Sequence, residues 1–402
     1  MFHGLKKKIG LKLYRWFCKR TKPQRDVIVF ESNGGNNYTG SPKAIYEKMV
    51  ALGLDKTYRI FYALKDPKHT IVPGHVRKIK YKSAGYFYAF SVASIWISDS
   101  RLSNSIIKKE GVSYIQTWHG TPLKKLALDM DDVAMAGSSN IYRYKANFFD
   151  NTQKWDYLLS QNRYSSEIFG RCFAFHKDML EIGYPRNDIL FEKNNKDDIR
   201  LLKKKLGLPE NKKIILYAPT WRDNDYYSKG NYKFQLKLDF RRLQEKLSRD
   251  YIIIVKYHYL VSSEIDWSIY EGFVYDFGRA DDISELYLVS DMMITDYSSV
   301  MFDYSLLMRP MFFYCYDLEE YRDELRGFYF DFEAEAPGPI SQTTEELIQD
   351  IQNYQAKDYA EKYEAYHKKF NAIDDGHASE KIVGLIEDIV HGRIQTQENP
   401  SE

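Results

Sequence analysis

"DMMITDYSSVMFDY" occupies residues 291–304 and holds a complete strand-to-helix step. The apolar run ending at Thr295 has the length of a buried strand, and the chain turns polar at Asp296. A helix is expected from about Ser298, with Asp303 four residues after Ser299 on the same helical face. A buried strand that leads straight into a helix is half of a βαβ unit, the building block of parallel sheets.

The step recurs along the chain. Strand-like runs precede it at 213–219, 250–256 and 272–276 and follow it at 310–316, with helical stretches at 239–248 and 282–290. An earlier set lies at 26–30, 58–64, 76–81, 94–98, 112–118 and 156–160, with helix-length segments at 42–52 and 84–93. The polar segment 192–213 separates the two sets. The expected architecture is α/β, with two doubly wound domains in series. The expected divisions are a basic segment 1–25, a first domain 26–195, a second domain 196–390 and a polar tail 391–402.

Composition supports real cores and narrows the partners. Apolar residues make up 44% of the 402 residues, too many for a disordered chain. Cys18, Cys172 and Cys315 are widely spaced, which suits a reducing compartment rather than a disulfide framework. No signal peptide and no membrane-spanning run is expected. Residues 1–25 hold nine Lys/Arg and no acid, so the rest carries 49 basic against 56 acidic residues. A body with that balance and no basic stripe argues against nucleic acid as a partner.

The basic segment has its own pattern. On a helical wheel Phe2, Leu5, Ile9, Leu13, Trp16 and Phe17 share one face, while Lys7 and Lys8 lie on the others. Aromatic residues on one face and lysines around it suit a helix lying on an anionic membrane surface. The plainer alternative is a helix packed on the protein's own core.

In doubly wound sheets, ligands bind outside the carboxyl ends of the strands. Five motifs fall there, all rich in residue types that hold phosphate. In "TWHGTPLKK", His119 follows a strand, Gly120 allows close approach, and Thr121 and Pro122 are expected to start a helix. Its free amides and dipole would attract an anion. "YAPTWRD" offers Pro219, Thr220 and the Arg222 fork. "VKYHY" sets Lys256 and His258 on one side of an extended segment. Ser298 and Ser299 supply hydroxyls and amides, Asp303 a carboxylate for sugar or glycerol hydroxyls, and "GYPRND" places Arg186 after a turn.

Together "QTWHGTPLKK", "GYPRND", "YAPTWR", "KYHYL" and "DISELYLVSDMMITDYSSVMFDY" resemble the CDP-glycerol glycerophosphotransferases that build wall teichoic acid. The resemblance runs in order from about residue 26 to 385. It implies a GT-B fold, two Rossmann-like domains facing across a cleft, and peripheral attachment to the cytoplasmic face of the bacterial membrane. The implied donor is CDP-glycerol, or a related CDP-polyol such as CDP-ribitol. The implied acceptor is a polyprenyl-diphosphate-linked teichoic acid.

By this resemblance Trp118, Gly120, Thr121 and Pro122 line the donor site and His119 is the base. Arg186, Pro219 and Thr220 contact the donor. Lys256, Tyr257 and His258 bind its phosphates, and Ser298, Ser299 and Asp303 complete the site. Relatives often carry arginine at the position of Lys256 and proline at that of Tyr259, so the phosphate geometry differs in detail. The implied chemistry is attack of an acceptor hydroxyl on the β-phosphorus with loss of CMP. His119 or His258 serves as base, and no cofactor or obligatory metal is expected. A homo-oligomer remains compatible with the sequence. Two rivals are a nucleotide-sugar glycosyltransferase of the same fold and a non-catalytic membrane-docked module that binds an anionic polymer.

Overall fold

The computed structural model describes residues 2–132, 140–220, 226–228, 231–232, 237–257, 265–278, 282–320 and 327–394; the side chains of 2–9, 226–228, 231–232 and Glu320 lie outside this set. The first sheet holds β1 (Gln24–Glu31), β2 (Arg59–Leu64), β3 (Arg77–Lys80), β4 (Ala93–Ser98), β5 (Ser113–Gln116), β6 (Tyr157–Ser160) and β7 (Asp178–Glu181). Their order is β3-β2-β1-β4-β5-β6-β7, and every pairing is parallel. A small antiparallel hairpin, β9 (Tyr226–Ser228) with β10 (Asn231–Tyr232), follows β8 (Lys213–Ala218). The second sheet combines β8 with β11 (Tyr251–Val255), β12 (Val274–Asp276), β13 (Met292–Thr295), β14 (Met311–Tyr314) and β15 (Ile340–Ser341). Its order is β12-β11-β8-β13-β14-β15, again parallel.

Strands buried on both faces explain why the sequence shows apolar runs instead of alternation. Val27, Ile28, Val29 and Phe30 of β1 are all fully buried, and they divide between the two apolar clusters that sandwich the first sheet. Ile214, Ile215 and Leu216 of β8 do the same in the second. Each sheet therefore has a core on either side, and the carboxyl ends of the two sheets face one another.

Three expectations are corrected. First, no helix starts at Thr121. Trp118 adopts a positive φ of 52°, and residues 117–126 run as an irregular strap to the second domain. Lys124 bridges Phe328, the Lys125 N–H reaches the Gly327 carbonyl at 3.0 Å, and the Tyr329 N–H reaches Leu123 at 2.9 Å. Those tertiary bonds occupy backbone groups that a helix needs internally. Of the two lysines, Lys125 pairs with Asp131 at 2.9 Å.

Second, the chain does not stay in the second domain to residue 390. The helix Ala378–Val390 returns to the first sheet, where Ile382, Val383, Ile386 and Ile389 join the core cluster of β1 and β2.

Third, the amphipathic face of the N-terminal helix Phe2–Arg20 is divided. Tyr14 and Cys18 are buried and Phe17 packs against the first core, whereas Leu13 and Trp16 are 62% and 54% exposed. The side chains of Phe2, Leu5, Lys7, Lys8 and Ile9 lie outside the described residues. Among the described residues no helix is long and apolar enough to cross a membrane. All three cysteines are free and buried.

Candidate active site

The first wall is built on β4 and β5. Gln116 ends β5 and its Oε1 accepts the Trp118 N–H at 2.9 Å, which reverses the chain. The Trp118 ring is 7% exposed and sits among Phe148, Trp155, Phe169 and Phe173. It does not line the cleft; it supports the His119 ring, stacked at 4.3 Å. The other side of His119 is open to solvent.

Its Nδ1 lies 2.8 Å from the Asp99 carbonyl oxygen. A carbonyl only accepts, so Nδ1 carries the hydrogen and Nε2 keeps its lone pair. Partial burial of the ring pushes its pKa down to about 4, with Arg186 and Arg101 adding to this against the pull of the Asp99 carbonyl. His119 is thus a neutral base at neutral pH.

Thr121 and Pro122 are turned inward. The Thr121 hydroxyl donates to Gln161 Oε1 at 2.6 Å, and the Pro122 carbonyl accepts from the Tyr164 hydroxyl at 2.8 Å. Both bonds hold the loop in place. Gly120 is the contact with the second domain. A Cβ there would lie 2.9 Å from Ser299 Oγ and 3.8 Å from Arg186 Nη2, so any side chain would force the walls apart.

The second wall follows β7, β8, β11 and β13. Arg186 lies over the Tyr184 ring at 4.8 Å and pairs with Asp303 at 2.7 Å. Burial opposes its charge, but the Asp303 carboxylate raises its pKa further. Asn187 Nδ2 donates to the other Asp303 oxygen at 2.9 Å. Both Asp303 oxygens therefore already accept a hydrogen bond from protein, a structural engagement that the sequence did not announce. Arg186 Nε has no partner among the described residues. Ser298 and Ser299 are half-buried beside it.

Pro219 and Thr220 leave β8 half-buried, and the Thr220 N–H donates to Asp296 Oδ1 at 2.9 Å. Lys256 Nζ donates to the Gly278 carbonyl at 3.1 Å, and the Tyr257 hydroxyl to Asp276 at 3.1 Å. His258 and Arg222 lie outside the described residues.

Several contributors escaped the sequence reading. Asp99 and Gln161 directly follow the strands 94–98 and 156–160, so the rule that found His119 could have found them. Asp374 has no such signal. It lies between the helices Ala356–Phe370 and Ala378–Val390, where burial pushes its carboxyl up to about 8. Gln161 Nε2 donates to it at 3.1 Å and the Tyr184 N–H at 3.4 Å. It thereby braces the His119 loop and the Arg186 turn together. Lys43 and Asp282 add a further link between the domains at 2.8 Å. No three His, Cys, Asp or Glu side chains among the described residues stand close enough to share a metal ion.

A neutral imidazole and a group of cations and hydroxyls thus gather after the strands of two Rossmann-like domains. Residues 13–388 match the family described as CDP-Glycerol:Poly(glycerophosphate) glycerophosphotransferase. The chain belongs to this family. This glycerophosphotransferase-family chain is 45% identical over 390 residues to the teichoic acid poly(glycerol phosphate) polymerase of Bacillus subtilis (strain 168), covering 95% of this chain and 52% of that one. It is 40% identical over 387 residues to the teichoic acid glycerol-phosphate transferase of Staphylococcus aureus (strain NCTC 8325 / PS 47), covering 95% and 98%. The chain spans about half the length of two of the polymerases it matches. The solved wall teichoic acid polymerase TagF superposes with a TM-score of 0.90 at 43% identity, over 98% of this chain and 97% of that chain. A variant of that polymerase was also solved after a soak with CDPG; it matches with a TM-score of 0.89 at 44% identity, over 96% and 94%.

Proposed function

We propose that this chain transfers glycerol phosphate from CDP-glycerol to the terminal hydroxyl of a lipid-linked teichoic acid acceptor and releases CMP. The observation that carries this reading is the exposed, neutral His119, its Nδ1 hydrogen held by Asp99, directly before Gly120, which stands against Ser299 and Arg186. The acceptor oxygen attacks the β-phosphorus and its proton passes to Nε2. The new P–O bond forms as the bond to the CMP oxygen breaks. Arg186, Lys256 and the hydroxyls and amides around Ser299 stabilise charge on the phosphates. The fixed tautomer means that no proton must be relocated before attack.

Identity of 40–45% to glycerol-phosphate polymerases and a glycerol-phosphate transferase, against 26–29% to ribitol-phosphate enzymes, supports the glycerol donor, while a glycerol-phosphate primase stands at 29%. Incubation with CDP-glycerol or CDP-ribitol and a synthetic lipid-linked acceptor tests this, with products weighed by mass spectrometry. Addition of glycerol phosphate units with matching CMP release is expected. Transfer of ribitol phosphate alone would reassign the donor. No CMP release from either would leave a binding module or a glycosyltransferase.

The acceptor carries a lipid, so the same reading places the protein on the cytoplasmic membrane face. Among the described side chains of the helix, Leu13 and Trp16 are large apolar ones left exposed, Arg20 lies over the Trp16 ring at 4.5 Å, and Lys12, Arg15 and Lys19 are exposed around them. Apolar side chains contribute about 1.5–3 kcal/mol each when buried. The double substitution Leu13→Glu and Trp16→Glu is expected to weaken sedimentation with anionic vesicles about tenfold or more. Unchanged sedimentation refutes docking through this helix.

A further inference from the structure

The strand order of the first sheet reverses between β1 and β4, which opens a crevice at their carboxyl ends. After β1, Asn33, Gly34 and Gly35 all take positive φ, and a helix begins at Gly40. A nucleotide-binding domain places a phosphate in such a crevice. Here the protein's own carboxylate is already there. Asp99, the first residue after β4, accepts the Asn33 N–H at 2.7 Å and the Ser100 hydroxyl at 2.8 Å, both on Oδ1. A phosphate is repelled from this point, while a hydroxyl can donate to it.

Asp99 is 6% exposed. Among the described residues both hydrogen bonds to its side chain fall on Oδ1, and none falls on Oδ2. Gly40 faces it, and a Cβ on that residue would come within 3.3 Å of Oδ2, so the glycine keeps the space clear. The backbone carbonyl of the same Asp99 fixes His119 Nδ1 at 2.8 Å. One residue thus orients the base through its main chain and presents an unfilled acceptor through its side chain.

We propose that Asp99 Oδ2 holds the secondary hydroxyl of the acceptor's terminal glycerol, so that the neighbouring primary hydroxyl meets His119 Nε2. The assignment rests on the transfer reaction proposed above. It makes Asp99 a specificity-determining residue for glycerol-ended acceptors. A site that hydrogen-bonds a substrate hydroxyl discriminates strongly against the analogue that lacks it.

The test compares two synthetic lipid-linked acceptors, one ending in glycerol phosphate and one in 3-hydroxypropyl phosphate, with CDP-glycerol as donor. The wild type is expected to favour the glycerol end by about 100-fold in kcat/KM. Asp99→Ala should reduce that preference to a few-fold, with KM for CDP-glycerol unchanged. Asp99→Asn retains an oxygen for the Asn33 N–H and serves if the alanine variant does not fold. It should lower the preference by about tenfold. A wild type indifferent to the missing hydroxyl, or variants that keep the full preference, overturns the assignment. Absence of CMP release from the wild type with either acceptor instead removes the reaction on which it rests.

Discussion

Replacing His119 by alanine is expected to slow CMP release by about 100-fold or more, the usual scale of a lost general base. KM for CDP-glycerol should change little, because a general base acts on the acceptor hydroxyl. The pH dependence is the sharper part of the result. In the free protein His119 is protonated only as pH falls through about 4, so the base is fully available at neutral pH. A base that weak is a poor match to an alcohol. The bound donor changes this: two phosphate groups in the cleft favour the imidazolium and raise the pKa. The acid limb of kcat should therefore lie at higher pH than that of kcat/KM, since the two report the bound and free states. Both limbs should disappear from the residual activity of His119→Ala. A variant that retains the displaced limb and near-normal turnover would assign the base to another group, His258 first.

The parts of this site legible in sequence are those set by short-range physics. Val27–Phe30 and Ile214–Leu216 are buried on both sides, and burial on both sides writes a continuous apolar run. Once the strands are placed, the residues after them are candidates by position alone, and Gly120, Arg186 and Ser299 do converge. What a side chain does there is decided by partners far away in sequence. The Thr121–Pro122 pair has good local helix-start chemistry, yet Gly327 and Phe328 claim the following backbone. Tertiary bonds of that kind override a cap preference of about 1 kcal/mol. Asp374 joins Gln161, 213 residues earlier, and no local pattern announces it. The amphipathic wheel of the N-terminal helix groups residues that the fold separates, for a related reason. It placed Phe17 with Leu13 and Trp16, but the body of the protein takes Phe17 together with Tyr14 and Cys18.

Asp303 is where the two levels disagree most, and its substitution separates them. If it held substrate hydroxyls, Asp303→Ala would raise KM for CDP-glycerol and leave stability nearly untouched. The structure instead gives its oxygens to Arg186 and Asn187, with the Arg186 and Asp303 side chains only 14% and 6% exposed. Removing the carboxylate strands a buried guanidinium, which costs about 3–5 kcal/mol. Each kcal/mol lowers Tm by about 2–4 °C in a domain of this size, so a fall of about 10 °C is expected by calorimetry. Activity should fall as well, because an Arg186 released from Asp303 no longer presents its free Nε in one orientation. Asp303→Asn should recover part of the stability, since its carbonyl can still accept from Arg186 or Asn187 while the charge is gone. Unchanged Tm in Asp303→Ala together with a raised KM would return Asp303 to the substrate and leave Arg186 held by its stack on Tyr184 alone.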